Sequence, residues 1–193
     1  MRALLVHETG VSDQSLEAIQ FGIEVVAAQL TGVGGIQVES QAISSGLPIM
    51  GNSDQVDSDT LLESFQAWPN RTLLVMAIAK DLGHKGVNFL FGQSKFSEGK
   101  VVFSTARLED SPLAIIGVVS HEIGHAYGLV SEHKPNYDAV SQFAGHCVNP
   151  CVMQSVNDKG EMIRSAGMIQ TRPEQSGFCD DCVVDLRAVH FAE

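Results

Sequence analysis

The sequence has little positive charge: 12 Lys and Arg stand against 23 Asp and Glu, for a net charge of -11. Nucleic-acid phosphates and anionic lipid headgroups attract basic surfaces, so this composition argues against both as partners. The chain also lacks an apolar run near the roughly 20 residues that span a bilayer. Its first ten residues are too weakly apolar for a secretory signal. We therefore expect a cytoplasmic protein with no nucleic-acid or membrane partner.

Cysteine is also scarce, and the four cysteines form two close pairs in the C-terminal quarter: Cys147, Cys151, Cys179 and Cys182. Disulfides do not persist in a reducing cytosol, so two such pairs favour a structural zinc site with four thiolate ligands. The alternatives are cysteines buried as small hydrophobic residues, or redox-active pairs.

The order of apolar segments predicts alternating strands and helices. We expect strands at 3–6, 36–40, 72–79, 87–92 and 100–105, helices at about 12–30 and 59–68, and a polar loop at 44–58. This order indicates an α/β (α+β) sandwich, in which helices pack on a mixed sheet. No linker or internal repeat divides the chain, so residues 1–193 are expected to form one domain.

A capped apolar helix carries the most informative motif. Ser111-Pro112 is typical of a helix start, and Gly128 of a helix end. Between them, His121 and His125 lie one turn apart, so both imidazoles can bind one zinc ion. Glu122 is placed to act on a zinc-activated water as general base. This spacing predicts a catalytic zinc site.

Catalytic zinc usually has three protein ligands, and two histidines are not enough. The sequence follows the metzincin pattern His-Glu-x-x-His-x-x-Gly through Gly128, but Ser131 stands where the third histidine of that pattern is expected. His133 and His146 are the two candidates for the missing ligand.

The segment "HCVNPCVM" at 146–153 and the later "CDDC" resemble the archaemetzincin family of zinc peptidases, as do "NFLFGQS" and "KVVFSTARL" before the helix. The resemblance covers about 88–182. It implies a metzincin fold and a catalytic zinc bound by His121, His125 and His146, with Glu122 as base. It further implies a second, structural zinc on the four cysteines, and a methionine turn at Met153 beneath the catalytic metal.

The chain departs from the family in its loop lengths. Seventeen residues, 129–145, separate Gly128 from His146 where the family has two, and the intervals within the cysteine set also differ. We favour His146 over His133 as third ligand, because Cys147 in the second zinc site would hold its neighbour rigidly. His133 lies in a polar turn.

We therefore expect a zinc metallopeptidase with two Zn²⁺ per chain, acting on a peptide or protein substrate. Its N-terminal subdomain would span 1–128, and a small C-terminal subdomain closed by zinc would span 129–193. The alternatives are a non-catalytic binding protein that zinc stabilises, and hydrolysis of a non-peptide amide by the same groups.

Overall fold

A computed structural model describes residues 1–30, 35–44, 46–51, 53–65, 72–96, 98–108, 111–141, 145–171, 174 and 176–189. The strands are β1 (Arg2–Glu8), β2 (Gln37–Ile43), β3 (Val56–Asp57), β4 (Thr72–Ile78), β5 (Leu82–His84), β6 (Val87–Leu90), β7 (Gly92–Lys95) and β8 (Lys100–Ser104). The helices are α1 (Asp13–Ala27), α2 (Ser58–Ser64), α3 (Pro112–Ala126), α4 (Lys159–Ala166), α5 (Met168–Thr171) and α6 (Asp180–Arg187).

The main sheet has five strands in the order β2-β1-β4-β8-β7. The first four strands are parallel and β7 pairs antiparallel to β8, so the predicted mixed α/β sandwich is confirmed. Strand β4 lies at the centre and is buried on both faces, as its continuous apolar run predicted. Strand β7 is the edge strand of this sheet and borders the candidate active site.

Alternate residues of the central strands enter two different hydrophobic clusters. Leu5 and Val75 pack with α1 and α3 on one face, whereas Leu4 and Leu74 pack with α2 on the other. This is the period-two alternation that a strand covered on both faces requires. The first cluster also contains buried side chains from the C-terminal helices, so the proposed subdomains 1–128 and 129–193 share one core. Their division stays a prediction.

Helix α3 packs tightly on α1 because a glycine removes a side chain at their crossing. A Cβ at Gly22 would lie 3.0 Å from the Val119 side chain. The Ser111 hydroxyl accepts a hydrogen bond from Ala114 N, and Pro112 follows it, as predicted. Residues on nearly every face of α3 are buried, so packing on all sides fixes the position of the helix.

Several elements differ from the sequence prediction. The polar segment at 44–58 contains β3, which joins β5 and β6 in a second, three-stranded sheet. Helix α2 is shorter than predicted, and residues 66–68 of that prediction lie outside the described residues. Helices α4, α5 and α6 were not predicted. Among the described residues no helix has the length and apolar character needed to cross a membrane.

Candidate active site

Two histidines of α3 face one another at the C-terminal end of the helix. The Nε2 atoms of His121 and His125 lie 2.9 Å apart, close to the roughly 3.4 Å expected between two nitrogens on one tetrahedral zinc at about 2.0–2.1 Å each. Helical spacing produces this approach, because residues four apart lie on one face.

The chain turns back sharply after the second histidine. Gly128 adopts φ 75°, its N–H donates to His125 O, and Leu129 N–H donates to Gly124 O. This is a Schellman motif, which needs a left-handed residue that glycine supplies without a Cβ clash. Val130 is also left-handed, at φ 58°. Such values are rare for a β-branched residue, so the turn is held by its surroundings.

His146 completes the group. Its ring centroid lies 5.2 Å from that of His121 and 5.3 Å from that of His125, and one nitrogen of each ring falls within 4.8 Å of the others. Gly145 precedes it at φ 92°, and a Cβ there would lie 2.9 Å from the His125 ring. His133 lies outside this group, with its side chain 86% exposed beside Glu132.

The protein environment prepares these rings to bind a cation. Burial lowers the pKa of His121 to about 4, with His146 adding to the shift and a hydrogen bond to Val152 O opposing it. Burial, and then the neighbouring rings, hold the pKa of His125 well below its ordinary value. His121 Nδ1–H donates to Val152 O at 2.8 Å, which leaves Nε2 with a free lone pair toward the other rings. Neutral imidazoles of this tautomer are metal ligands.

Glu122 is buried beside the histidines and packs against the edge strand. A Cβ at Gly92 of β7 would lie 2.6 Å from Glu122 Cγ, so only glycine leaves room for the carboxylate. Burial raises the pKa of Glu122 to about 8, and a hydrogen bond from Ser94 opposes the shift. A carboxyl group whose pKa is raised by burial beside a cleft is typical of a functional site.

Met153 packs against α3 at Gly124. The side chain is fully buried, and a Cβ at Gly124 would clash with its Sδ. Gly124 and Met153 therefore fit together under the histidine pair.

The four cysteines form a second, buried group. The Sγ atom of Cys147 lies 3.8 Å from that of Cys179 and 4.0 Å from that of Cys182. Thiolates at about 2.3 Å from a tetrahedral zinc lie about 3.8 Å apart, so the group fits that ion. The N-terminus of α6 carries Cys179 and Cys182, where the helix dipole favours thiolate. All four sulfurs fall within 4.8 Å of one another.

One tight turn joins the two groups. Cys147 N–H donates to Met153 O, and Met153 N–H donates to Cys151 Sγ. Val152, whose carbonyl holds His121, lies between Cys151 and Met153 in this turn. The turn that carries Cys147 and Cys151 therefore also supplies the carbonyl that orients the His121 ring.

A cleft of about 870 Å³ opens over the histidines. Strands β6 and β7 form one wall, with Phe89 and Phe91 among the apolar groups, and Val156 and Met162 lie on another side. Tyr137 also lines the cleft, whereas the Tyr127 hydroxyl points to Met1 Sδ at 3.5 Å. The cleft is large enough for several residues of an extended chain.

Sequence reasoning missed five residues of this arrangement. They are Gly92 and Ser94 beside Glu122, Val152 behind His121, and Asn136 and Ser141 within 129–145. A glycine and a serine two positions apart, directly after the apolar stretch at 87–91, were the available signal for the first pair. The other three make tertiary contacts, which no local sequence pattern predicts.

Comparisons with known proteins bear on this fold. No family model matches the chain. An archaemetzincin of Archaeoglobus fulgidus is 30% identical over 113 residues, a stretch that spans 56% of this chain and 56% of that protein. The crystal structure of an archaemetzincin from the same organism, complexed with malonate, superposes with a TM-score of 0.70 at 20% identity and covers 95% of this chain and 99% of its own.

The archaemetzincin structure from Methanopyrus kandleri has a TM-score of 0.73 at 23% identity, over 96% of this chain and 93% of its own. The chain is therefore similar in sequence to the Archaeoglobus fulgidus archaemetzincin over about half its length, and it has the fold of the archaemetzincin structures. A zinc-dependent peptidase from Methanocorpusculum labreanum has the same fold, with a TM-score of 0.65 at 20% identity, over 96% of this chain and 100% of its own. The resemblance to archaemetzincins that the sequence indicated is therefore confirmed.

Proposed function

We propose that this archaemetzincin homologue is a zinc metallopeptidase. One observation carries the proposal: a buried glutamate lies beside three convergent histidines in a cleft bordered by an edge strand. A purely structural metal site has no use for a carboxylate that binds no metal. The zinc-peptidase homologues support the same conclusion.

His121, His125 and His146 would hold the catalytic zinc. The bound ion would polarise the scissile carbonyl and make water a nucleophile near neutral pH. Glu122 would accept the proton of the attacking water and return it to the leaving amine. The Ser94 hydrogen bond and the contact with Gly92 keep the Glu122 carboxylate in place for both transfers.

The four cysteines would hold a second zinc, so we propose two ions per chain. This second ion would be structural, because four protein ligands leave no position for water. It would hold together the segment 146–153 and α6, which supply its four ligands. Four free cysteines placed close enough together to bind one metal ion also support the proposed cytoplasmic location.

A peptide or protein is the proposed substrate. Strand β7 ends the main sheet, and its outer edge borders the cleft. An extended peptide can add to such an edge through main-chain hydrogen bonds, which bind without regard to side-chain identity. Apolar walls at Phe91 and Val156 would then select among substrate side chains.

The experiment compares the wild-type chain with Glu122→Gln, which keeps the shape of the side chain and removes the base. We expect equal zinc content and at least a 10²-fold loss of peptide hydrolysis, since general acid–base catalysis contributes about 10²–10⁴-fold. Cleavage of a mixed peptide library is followed by mass spectrometry. Near-normal cleavage by Glu122→Gln would exclude the proposed mechanism. No cleavage by the zinc-loaded wild type would favour the non-catalytic binding protein.

A further inference from the structure

The described part of the insertion, residues 129–141 and 145, folds back onto the residues that follow it. Asp138 N–H donates to His146 O at 2.8 Å, and Val148 N–H donates to Asn136 O at 2.9 Å. These two bonds form a short antiparallel ladder around the bridge between Tyr137 and Cys147. The inserted segment is therefore paired with the stretch that carries ligands of both metal groups.

A second tie joins this segment to α6. Lys134 Nζ lies 2.6 Å from Asp185 Oδ1, and the Asp185 side chain is only 14% exposed. Helix α6 begins at the cysteine pair, so the insertion spans the cysteine group from one side to the other. At 129–130 its first two residues are buried against the core.

Asn136 is the buried centre of the insertion, at 1% exposure. Its Nδ2 donates to Cys147 Sγ at 3.3 Å and to Cys182 Sγ at 3.4 Å. Its Oδ1 has no hydrogen-bond partner among the described residues. Thiolates accept hydrogen bonds and cannot donate them, so with both cysteines in that form the donor end of the amide faces the two sulfurs. An N–H pair aimed at two sulfurs is satisfied best when both are thiolates.

Ser141 contacts the other metal group. Its Oγ lies 2.9 Å from His146 Nδ1. In the tautomer that frees Nε2 for a metal, Nδ1–H donates to this hydroxyl. Val152 O does the same for His121, so the core supports one ring and the insertion supports another.

We infer that the segment 129–145 positions ligands of both metal sites, through Asn136 on the thiolates of Cys147 and Cys182 and through Ser141 on the imidazole of His146. The inference rests on the proposed metal sites and assigns the insertion a role in each. Hydrogen bonds to the non-ligating side of a metal-bound group commonly change affinity about 10–100-fold. We expect a loss of that size for each residue, at its own site only.

The experiment measures zinc affinity at each site in the full chain. Zinc is titrated against competing chelators, and Co²⁺ substitution reports the cysteine site separately through thiolate-to-metal charge-transfer absorption. Ser141→Ala should weaken the histidine site about 10–100-fold and leave the cysteine site unchanged. Ser141→Thr keeps the hydroxyl and should restore the affinity. His133→Ala is the matched control within the insertion, because its exposed ring contacts neither group.

The second part of the experiment tests Asn136 with two variants whose side chains are close in size to that of asparagine. Asn136→Leu removes the donors without adding charge, and Asn136→Asp places a carboxylate against two thiolates. Cysteine-site affinity should fall in the order wild type, Asn136→Leu, Asn136→Asp, with a shifted Co²⁺ absorption in Asn136→Leu. Asn149→Ala is the control at the rim of the site, because Asn149 is partly exposed and its Nδ2 lies 3.6 Å from Cys179 Sγ. We expect a smaller loss there.

Two kinds of failure are distinguishable. If the wild-type chain binds no zinc at the histidines, the proposed function fails together with the Ser141 arm. If the wild type binds both ions and the Ser141 and Asn136 variants keep wild-type affinities, the inference alone is wrong. Equal losses in Asn136→Leu and Asn136→Asp would also overturn it, since packing and not hydrogen bonding would then explain the effect.

Discussion

Replacing Gly92 with alanine tests the geometry of the candidate base without touching any proposed metal ligand. The Gly92 backbone lies outside the left-handed region, so alanine fits the conformation of β7. Its Cβ, however, would lie 2.6 Å from Glu122 Cγ and 2.9 Å from both Cδ and Oε1. The clash falls on the carboxylate itself.

The size of the effect follows from these distances. Carbon atoms in contact lie about 3.5–4.0 Å apart, so the Glu122 side chain must retreat by roughly 1 Å. A displacement of about 1 Å can cost about 10²-fold in rate. That factor corresponds to about 2.7 kcal/mol of transition-state stabilisation. The three atoms nearest the added Cβ all belong to Glu122 and none to a histidine, so zinc content should stay unchanged.

The assay is kcat/KM on a peptide substrate, with zinc content measured on the same sample. Lys95→Ala is the control on the same strand, since its side chain points to Glu63 on α2 and away from the cleft. We expect near-normal hydrolysis from Lys95→Ala and about a 10²-fold loss from Gly92→Ala. Wild-type kcat/KM in Gly92→Ala would refute the role of this contact in placing Glu122.

Three further outcomes are expected. Metal analysis should find two zinc ions in the wild type and one fewer in Cys179→Ser/Cys182→Ser, and a wild-type value near one that this variant leaves unchanged would exclude the four-cysteine site. His146→Ala should weaken the catalytic site in a chelator titration far more than His133→Ala, and the reverse order would make the insertion the source of the third ligand. Met153→Ala should lower the free energy of unfolding by about 2–5 kcal/mol, because truncating a fully buried side chain leaves a cavity. A decrease of less than about 1 kcal/mol in denaturant unfolding would contradict the packing of Met153 under Gly124.

Most elements up to and including α3 were predictable because their signals are local. The apolar run of β4, the cap at Ser111 and the glycine after α3 each reflect the conformation of a few neighbouring residues. The pairing of His121 with His125 follows from helical periodicity alone. Amino-acid types at short spacing were also enough to indicate the archaemetzincin resemblance.

The C-terminal helices were not predicted, because they are short and weakly apolar. Helices α4 and α6 have eight residues each, too few for a clear periodic pattern, and they depend on packing for stability. Strand β3, with two residues, exists only because β5 lies beside it.

The sequence by itself determined which residue types can bind metal and which two of them must face each other on a helix. Only the tertiary structure brought His146 to that pair across 20 intervening residues and left His133 in solvent. It alone also placed Gly92 against Glu122, Val152 behind His121, and Asn136 on two sulfurs. Helical spacing acts over one turn, whereas these contacts depend on how separate segments pack, and packing is a property of the whole chain.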